Sequence, residues 1–206
     1  MKQETGSSIS VSNNEVSIQL PLGGHSFSVA ALDDALGGEH PQSARCTVLT
    51  PRTTLVPREC FDASSAEKYL RIAGVPCRGD ETVVTCDAEA QRAVAVMAVS
   101  SECLGALRER FGERLSFASP LCDSRDCKEP AVLLHRAGDL IYIKVYGPEL
   151  QLAEAVEISS DADVLQLLHD LEGALEVSRC AVVCSGDDCD RLCRRLAKYY
   201  TNVRCE

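Results

Sequence analysis

The sequence predicts an α/β protein of two subdomains, each a mixed sheet with packed helices. Three observations carry that expectation. Apolar runs of strand length alternate with amphipathic runs of helix length along the 206 residues. The second half opens with three strands joined by short turns and continues with strand–helix units, which forces a mixed sheet because later strands return by helical crossovers. The first half reads in roughly the same order, with one additional strand.

The first fifteen residues, rich in Ser and Asn, are expected to be a disordered tail. "VSIQL" (16–20) and "SFSVAAL" (26–32) flank "PLGGH", which predicts a β-hairpin turning at Gly23 and Gly24. "CTVLT" (46–50) follows as a strand after a polar loop. "DASSAEKYLRIAG" (62–74) is a helix with Ser64 and Glu67 at capping-box spacing, Tyr69 and Leu70 inward and Gly74 as its stop. "ETVVTC" and "RAVAVMAV" are strands, Ser100 or Ser101 caps the helix "ECLGALRERF", and "LSFASPL" closes the first subdomain, 16–121. "CDSRDCKE" (122–129) is the joint.

In the second subdomain, 130–206, "AVLLHR", "LIYIKVY" and "LQLAEAVEI" form a meander with turns at "AGD" and "GPE". A helix over 160–177 is capped by Ser160 or Asp161 and buries Val164, Leu168, Leu171 and Leu175. A strand at 180–184, a helix at 187–200 and the short strand "NVRC" complete the chain.

Composition excludes several classes of function. Hydrophobic residues make up 45%, ample for a core, but aromatics are 4%, so Leu, Val, Ala and Cys must fill it. A net charge of −10, from 21 basic and 31 acidic residues, argues against nucleic acid and against anionic membrane surfaces. "AVAVMAV" is far short of the roughly 20 residues of a membrane span. The N-terminal residues show no apolar export signal, so a cytoplasmic protein is expected.

Twelve cysteines in such a chain are expected to be mostly reduced thiols. In "CAVVCSGDDCDRLCRRLAKYY" (180–200), Cys180 and Cys184 fall on one face of an apolar strand. Cys189 and Cys193 join Leu192, Leu196, Ala197 and Tyr200 on a core-facing helix stripe. Their C-x3-C-x4-C-x3-C spacing spreads them along a strand and a helix, unlike paired zinc knuckles, so small buried hydrophobes are favoured over a metal site and no bound metal is expected. Cys122 and Cys127, near Arg125 and Lys128, are the expected reactive thiols, with a redox pair as an alternative.

Two tandem units of this kind, with "VSIQLPLGGHSFSV", "TLVPRECFDASSAEKYL", and "ELQLAEAVEISSDADVLQLLHDLE" followed by "VVCSGD", resemble an uncharacterised bacterial family of unknown function related to the actin-like ATPase superfamily. That superfamily includes sugar kinases and Hsp70 chaperones, and the resemblance runs from about Val16 to Cys205. "LVP" followed by "AEKYL" is also similar to the actin-like cytoplasmic proteins of type II secretion and type IV pilus systems. The resemblance implies a duplicated, ribonuclease H-like fold and three nucleotide-binding segments. An active member places an acid on the first strand, to hold hydrated Mg2+, before a turn whose amides receive phosphate oxygens. Here the first turn is Gly23-Gly24-His25-Ser26 but the strand offers Gln19; the second is Gly138-Asp139 but the strand offers His135; the third, Ser185-Gly186-Asp187, fits. Gly23, Gly24, Ser26, Gly138, Asp139, Ser185, Gly186 and Asp187 are therefore the residues that would hold a nucleotide in a divergent ATPase. His25, His40, His135 and His169 have no partner at useful spacing, and no hydrolase, zinc-protease or P-loop motif occurs. The expected function is a non-catalytic actin-like scaffold or protein-binding module with no cofactor. Its partner is another protein, bound at a cleft or sheet edge. A divergent ATPase is the first alternative and a zinc or redox module the second.

Overall fold

The structure is a computed structural model and describes residues 8–12, 14–123 and 129–206. The chain divides into two compact units, Met1–Asp123 and Ser124–Glu206.

In the first unit, β1 (Ile9–Ser12) pairs antiparallel with β2 (Glu15–Pro21). Residues 9–12, assigned to a disordered tail from their polar composition, thus form a strand, because Ile9 and Val11 pack against the first core cluster. β2 alternates buried Val16, Ile18 and Leu20 with exposed Ser17 and Gln19, the period-2 pattern of a strand with one core face.

The hairpin expected across Gly23-Gly24 does not form. β2 runs into a short 3-10 turn, and residues 29–36 coil into α1 (Val29–Leu36). Ser28 caps that helix by accepting the Ala31 N–H at 3.3 Å, Gly37 ends it at φ +54°, and Leu32 and Leu36 fall on one buried stripe. β3 (Ser43–Leu49) runs parallel to β2, and β4 (Thr53–Pro57) has no counterpart in the sequence expectation. α2 (Ala66–Ile72) starts later than its capping-box spacing suggests: Asp62, taking the Ser64 N–H at 3.0 Å, caps a 3-10 turn over Ala63–Ser65, and α2 follows it from Ser65 without a side-chain cap. Tyr69 donates to the Cys60 carbonyl at 2.7 Å and stacks on Phe61.

β5 (Glu81–Ala88), β6 (Ala93–Ser100), α3 (Ser101–Phe111) and β7 (Leu115–Ala118) complete the unit. The strand orders are β1-β2-β3-β7, with β7 parallel to β3, and an antiparallel β4-β6-β5. β6 explains the unbroken run "AVAVMAV": Met97 and Val99 enter the core with α1 and α3, while Val96 and Ala98 pack against Leu70 of α2. Both faces are covered, so neither needs polar residues. Ser100 caps α3 by accepting the Cys103 N–H.

In the second unit, β8 (Ala131–Ala137), β9 (Leu140–Tyr146) and β10 (Leu150–Glu157) form the expected antiparallel meander. α4 (Asp161–Leu175) begins at Ser160, whose side chain and that of Asp163 make a reciprocal capping box. β11 (Ala181–Gly186) lies parallel to β8, α5 (Cys189–Leu196) crosses back, and β12 (Val203–Cys205) lies parallel to β11. The order is β10-β9-β8-β11-β12, a mixed sheet. Its core sets Val132, Leu134, Ile141, Ile143 and Val182 of the sheet against Val164 and Leu168 of α4 and Leu192 and Leu196 of α5. The two units do not share a strand order, since the first splits its strands between two sheets. Among the described residues no helix is long and apolar enough to cross a membrane.

Candidate functional site

The residues expected to serve a nucleotide in the second unit do converge. β8 and β11 are register partners at His135↔Ser185 and Arg136↔Gly186, which sets the Gly138-Asp139 hairpin turn beside the β11–α5 turn. The His135 Nδ1 and Ser185 Oγ atoms lie 3.1 Å apart. Gly186 has φ +83°, and a Cβ there would sit 2.1 Å from the Arg136 carbonyl oxygen. It is glycine because backbone presses on backbone.

One contact decides what this pair of turns offers. Asp187 Oδ2 accepts the Gly138 N–H at 2.8 Å, and the Asp187 N–H donates to the Arg136 carbonyl at 2.9 Å. The Gly138 carbonyl in turn accepts from Arg136 Nε at 3.2 Å. Both polar groups of the Gly138 backbone are therefore bonded within the chain, its amide to a carboxylate. Asp139 is exposed, and its carbonyl accepts the Ile158 N–H at 2.8 Å.

Behind the turns lies an ion cluster that the sequence reading did not include. Asp161, the first residue of α4, is 7% exposed and accepts from Arg136 at 2.8 Å and Arg191 at 3.2 Å. Burial alone would raise its carboxyl. The two arginines and their hydrogen bonds outweigh burial and hold it below the ordinary carboxylate range.

The first-unit turn has a different role from the one expected. Gly23 and Gly24 are buried; a Cβ on Gly24 would lie 2.7 Å from the Cys103 sulfur, and one on Gly23 would lie 3.0 Å from the Ala98 carbonyl oxygen. Both glycines permit close packing of the turn on β6 and α3. Ser26 Oγ donates to the Pro21 carbonyl at 3.4 Å, and Gln19 is exposed on β2. His25 Nε2 lies 3.0 Å from Oε1 of Glu81, which also takes a bidentate interaction from Arg52 and the Arg78 N–H at 2.8 Å. Burial pushes the Glu81 carboxyl up, but the hydrogen bonds from Arg52, Arg78 and His25 hold it at about 2. Neither ion cluster had a sequence signal, because a charged residue at the end of an apolar strand is ordinarily solvated.

The cysteines sort by tertiary position. Cys46, Cys103, Cys180 and Cys184 are buried, whereas Cys189 and Cys193 are only partly so, and Ala197 of their predicted stripe is exposed. Cys122 is not the exposed thiol expected: its sulfur lies 2.9 Å from that of Cys86, and this contact, then burial, pushes the Cys86 thiol up. Cys127, Arg125 and Lys128 lie outside the described residues. Burial pushes Cys46 up to about 12, with Cys103 adding to it, and burial likewise pushes Cys103 up to about 12, with Glu102 adding. Exposed Cys60 is therefore expected to react with a thiol reagent well before Cys46 and Cys103. Timed labelling of native protein read by peptide mass spectrometry checks this, and early modification of Cys46 or Cys103 would contradict the burial.

Two units of mixed α/β architecture give the chain an actin-like ATPase fold. A crystal structure from Bacteroides thetaiotaomicron VPI-5482, of a protein with actin-like ATPase fold and unknown function, is similar to it with a TM-score of 0.72 at 20% sequence identity. The match covers 98% of this chain and 90% of that chain. No protein-family model and no curated protein matches the sequence.

Proposed function

We propose that this protein is a non-catalytic actin-like scaffold that works by binding another protein. The observation that carries the reading is the Asp187 carboxylate on the Gly138 amide. In an active relative that kind of amide would serve a phosphate oxygen, and here a resident anion takes it. Gln19 and His135, standing where an active member places acids ahead of the two turns, support the same reading. So does electrostatics: a triphosphate would bring several negative charges to a chain already at −10. On this reading the two units are a diverged pair of one ribonuclease H-like ancestor, the second closer to the shared plan, and the protein acts in the cytoplasm.

Thermal unfolding with Mg-ATP tests it. A ligand at a hundred times its dissociation constant adds about 2.7 kcal/mol, and a chain of this size gains roughly 2 to 4 °C per kcal/mol. A working nucleotide site would thus raise Tm by about 5 to 11 °C. The expected shift with millimolar Mg-ATP is under about 1 °C, well below that linkage value. A shift of several degrees would replace the scaffold reading with that of a divergent ATPase.

A further inference from the structure

The spacing of Cys180, Cys184, Cys189 and Cys193 argues against a metal site only if those four are the ligands. The fold selects a different set. β11, α5 and β12 form a β–α–β unit in which Cys184 and Cys205 are register partners on adjacent parallel strands, so their side chains share one sheet face. α5 belongs to the core on that face, and Cys189 and Cys193, one helical turn apart, lie on its inner stripe. Cys180 is left at the far end of β11. The last strand supplies the cysteine that the local spacing lacked.

Two of these sulfurs meet directly. Cys205 Sγ lies 2.7 Å from Cys189 Sγ, with no disulfide between them. Cys193 Sγ donates to the carbonyl of Arg204, the neighbour of Cys205 on β12, at 3.2 Å. The ligand atoms of Cys189, Asp190 and Cys205 all lie within 4.8 Å of one another. Tetrahedral zinc–sulfur bonds of about 2.3 Å set two sulfurs about 3.8 Å apart, so the Cys189–Cys205 pair opens by about 1 Å to share one ion. Cys189 is also the first residue of α5, so both helix-borne ligands sit in its first turn.

We propose that Cys189 and Cys205, with the Asp190 carboxylate, bind one soft divalent cation of the zinc type. Buried Cys184 and partly buried Cys193 stand behind them in the core. The ion joins two elements: it fastens the edge strand β12 to α5. The thiols that ligate give up their protons to solvent, and no oxidant or reductant enters the step.

Cobalt(II) titration of the full chain, kept reduced with a phosphine, tests the site. One equivalent is expected to bind, with thiolate-to-cobalt charge transfer in the near ultraviolet and the intense visible bands of a tetrahedral site, and zinc should displace it. Cys205→Ser and Cys189→Ser, each checked for native circular dichroism, are expected to weaken binding by at least about 10- to 100-fold, as loss of even a supporting interaction at a metal site does. Cys60→Ser should leave the titration unchanged. Overturning results would be a reduced chain that binds no cobalt, binding that survives both ligand substitutions, or a chain that only forms a Cys189–Cys205 disulfide in air. The cobalt titration and the Mg-ATP melt read different ligands, so either can fail without the other.

Discussion

Glu81→Met is expected to destabilise the protein by about 3 to 5 kcal/mol, because it leaves a largely buried guanidinium without its carboxylate. The Glu81 side chain is fully inaccessible and that of Arg52 is 12% exposed. The acid therefore cannot be replaced by solvent without opening the start of β5. The change also removes the carboxylate partner of His25 and of the Arg78 amide, so the turn after β2 loses this side-chain link to the start of β5. A pH dependence follows with a defined sign. The folded carboxyl sits at about 2 against an ordinary 4.5, so its contribution is complete above about 4.5 and is lost as pH falls towards 2. Urea unfolding at pH 7 and at pH 3 should show the gap between wild type and Glu81→Met narrowing at the lower pH. An equal gap at both would mean that the ion cluster contributes nothing and that the loss is one of packing.

Gly186→Val is expected to cost about 3 kcal/mol or more, lowering Tm by roughly 6 to 12 °C. Two costs add. The residue sits at φ +83°, which a β-branched side chain resists, and the new Cβ would meet the Arg136 carbonyl oxygen at 2.1 Å. Neither partner is a side chain able to swing aside, so β8 and β11 must separate where Asp187 bonds to Gly138. Gly37 is the control: its φ is +54° but a Cβ there meets nothing within 4 Å, so Gly37→Ala should cost only about 1 to 2 kcal/mol. If the two substitutions proved equal by thermal unfolding, the close approach at Gly186 would not be real. The contrast also shows why Gly186 is a poor probe of ligand binding, since its loss damages the sheet first.

The second unit was largely legible in its sequence because its neighbours in space are neighbours in the chain. Two-residue and short turns join β8, β9 and β10, and the Ser160 cap with its apolar stripe announces α4. The first unit was less so. "SFSVAAL" is apolar enough for a strand, and only the combination of Ser28, Leu32, Leu36 and Gly37 makes it a helix. β4 is five residues ending in proline, and its partner β6 lies forty residues on. Short apolar runs do not state their period, so long-range pairing decides them.

The candidate sites divide in the same way. By itself the sequence determined which residues sit in turns, that Gln19 and His135 rather than acids stand ahead of two of them, and that the chain is acidic and rich in thiols. Tertiary structure alone decided that Asp187 occupies the Gly138 amide, that Glu81 and Asp161 are buried against arginines, and that Cys205 meets Cys189. The reason is range. Turn chemistry and helix caps act over a few residues, whereas a carboxylate or thiol finds its partner through strand register, which is set by burying an entire apolar face and not by the residues next to it.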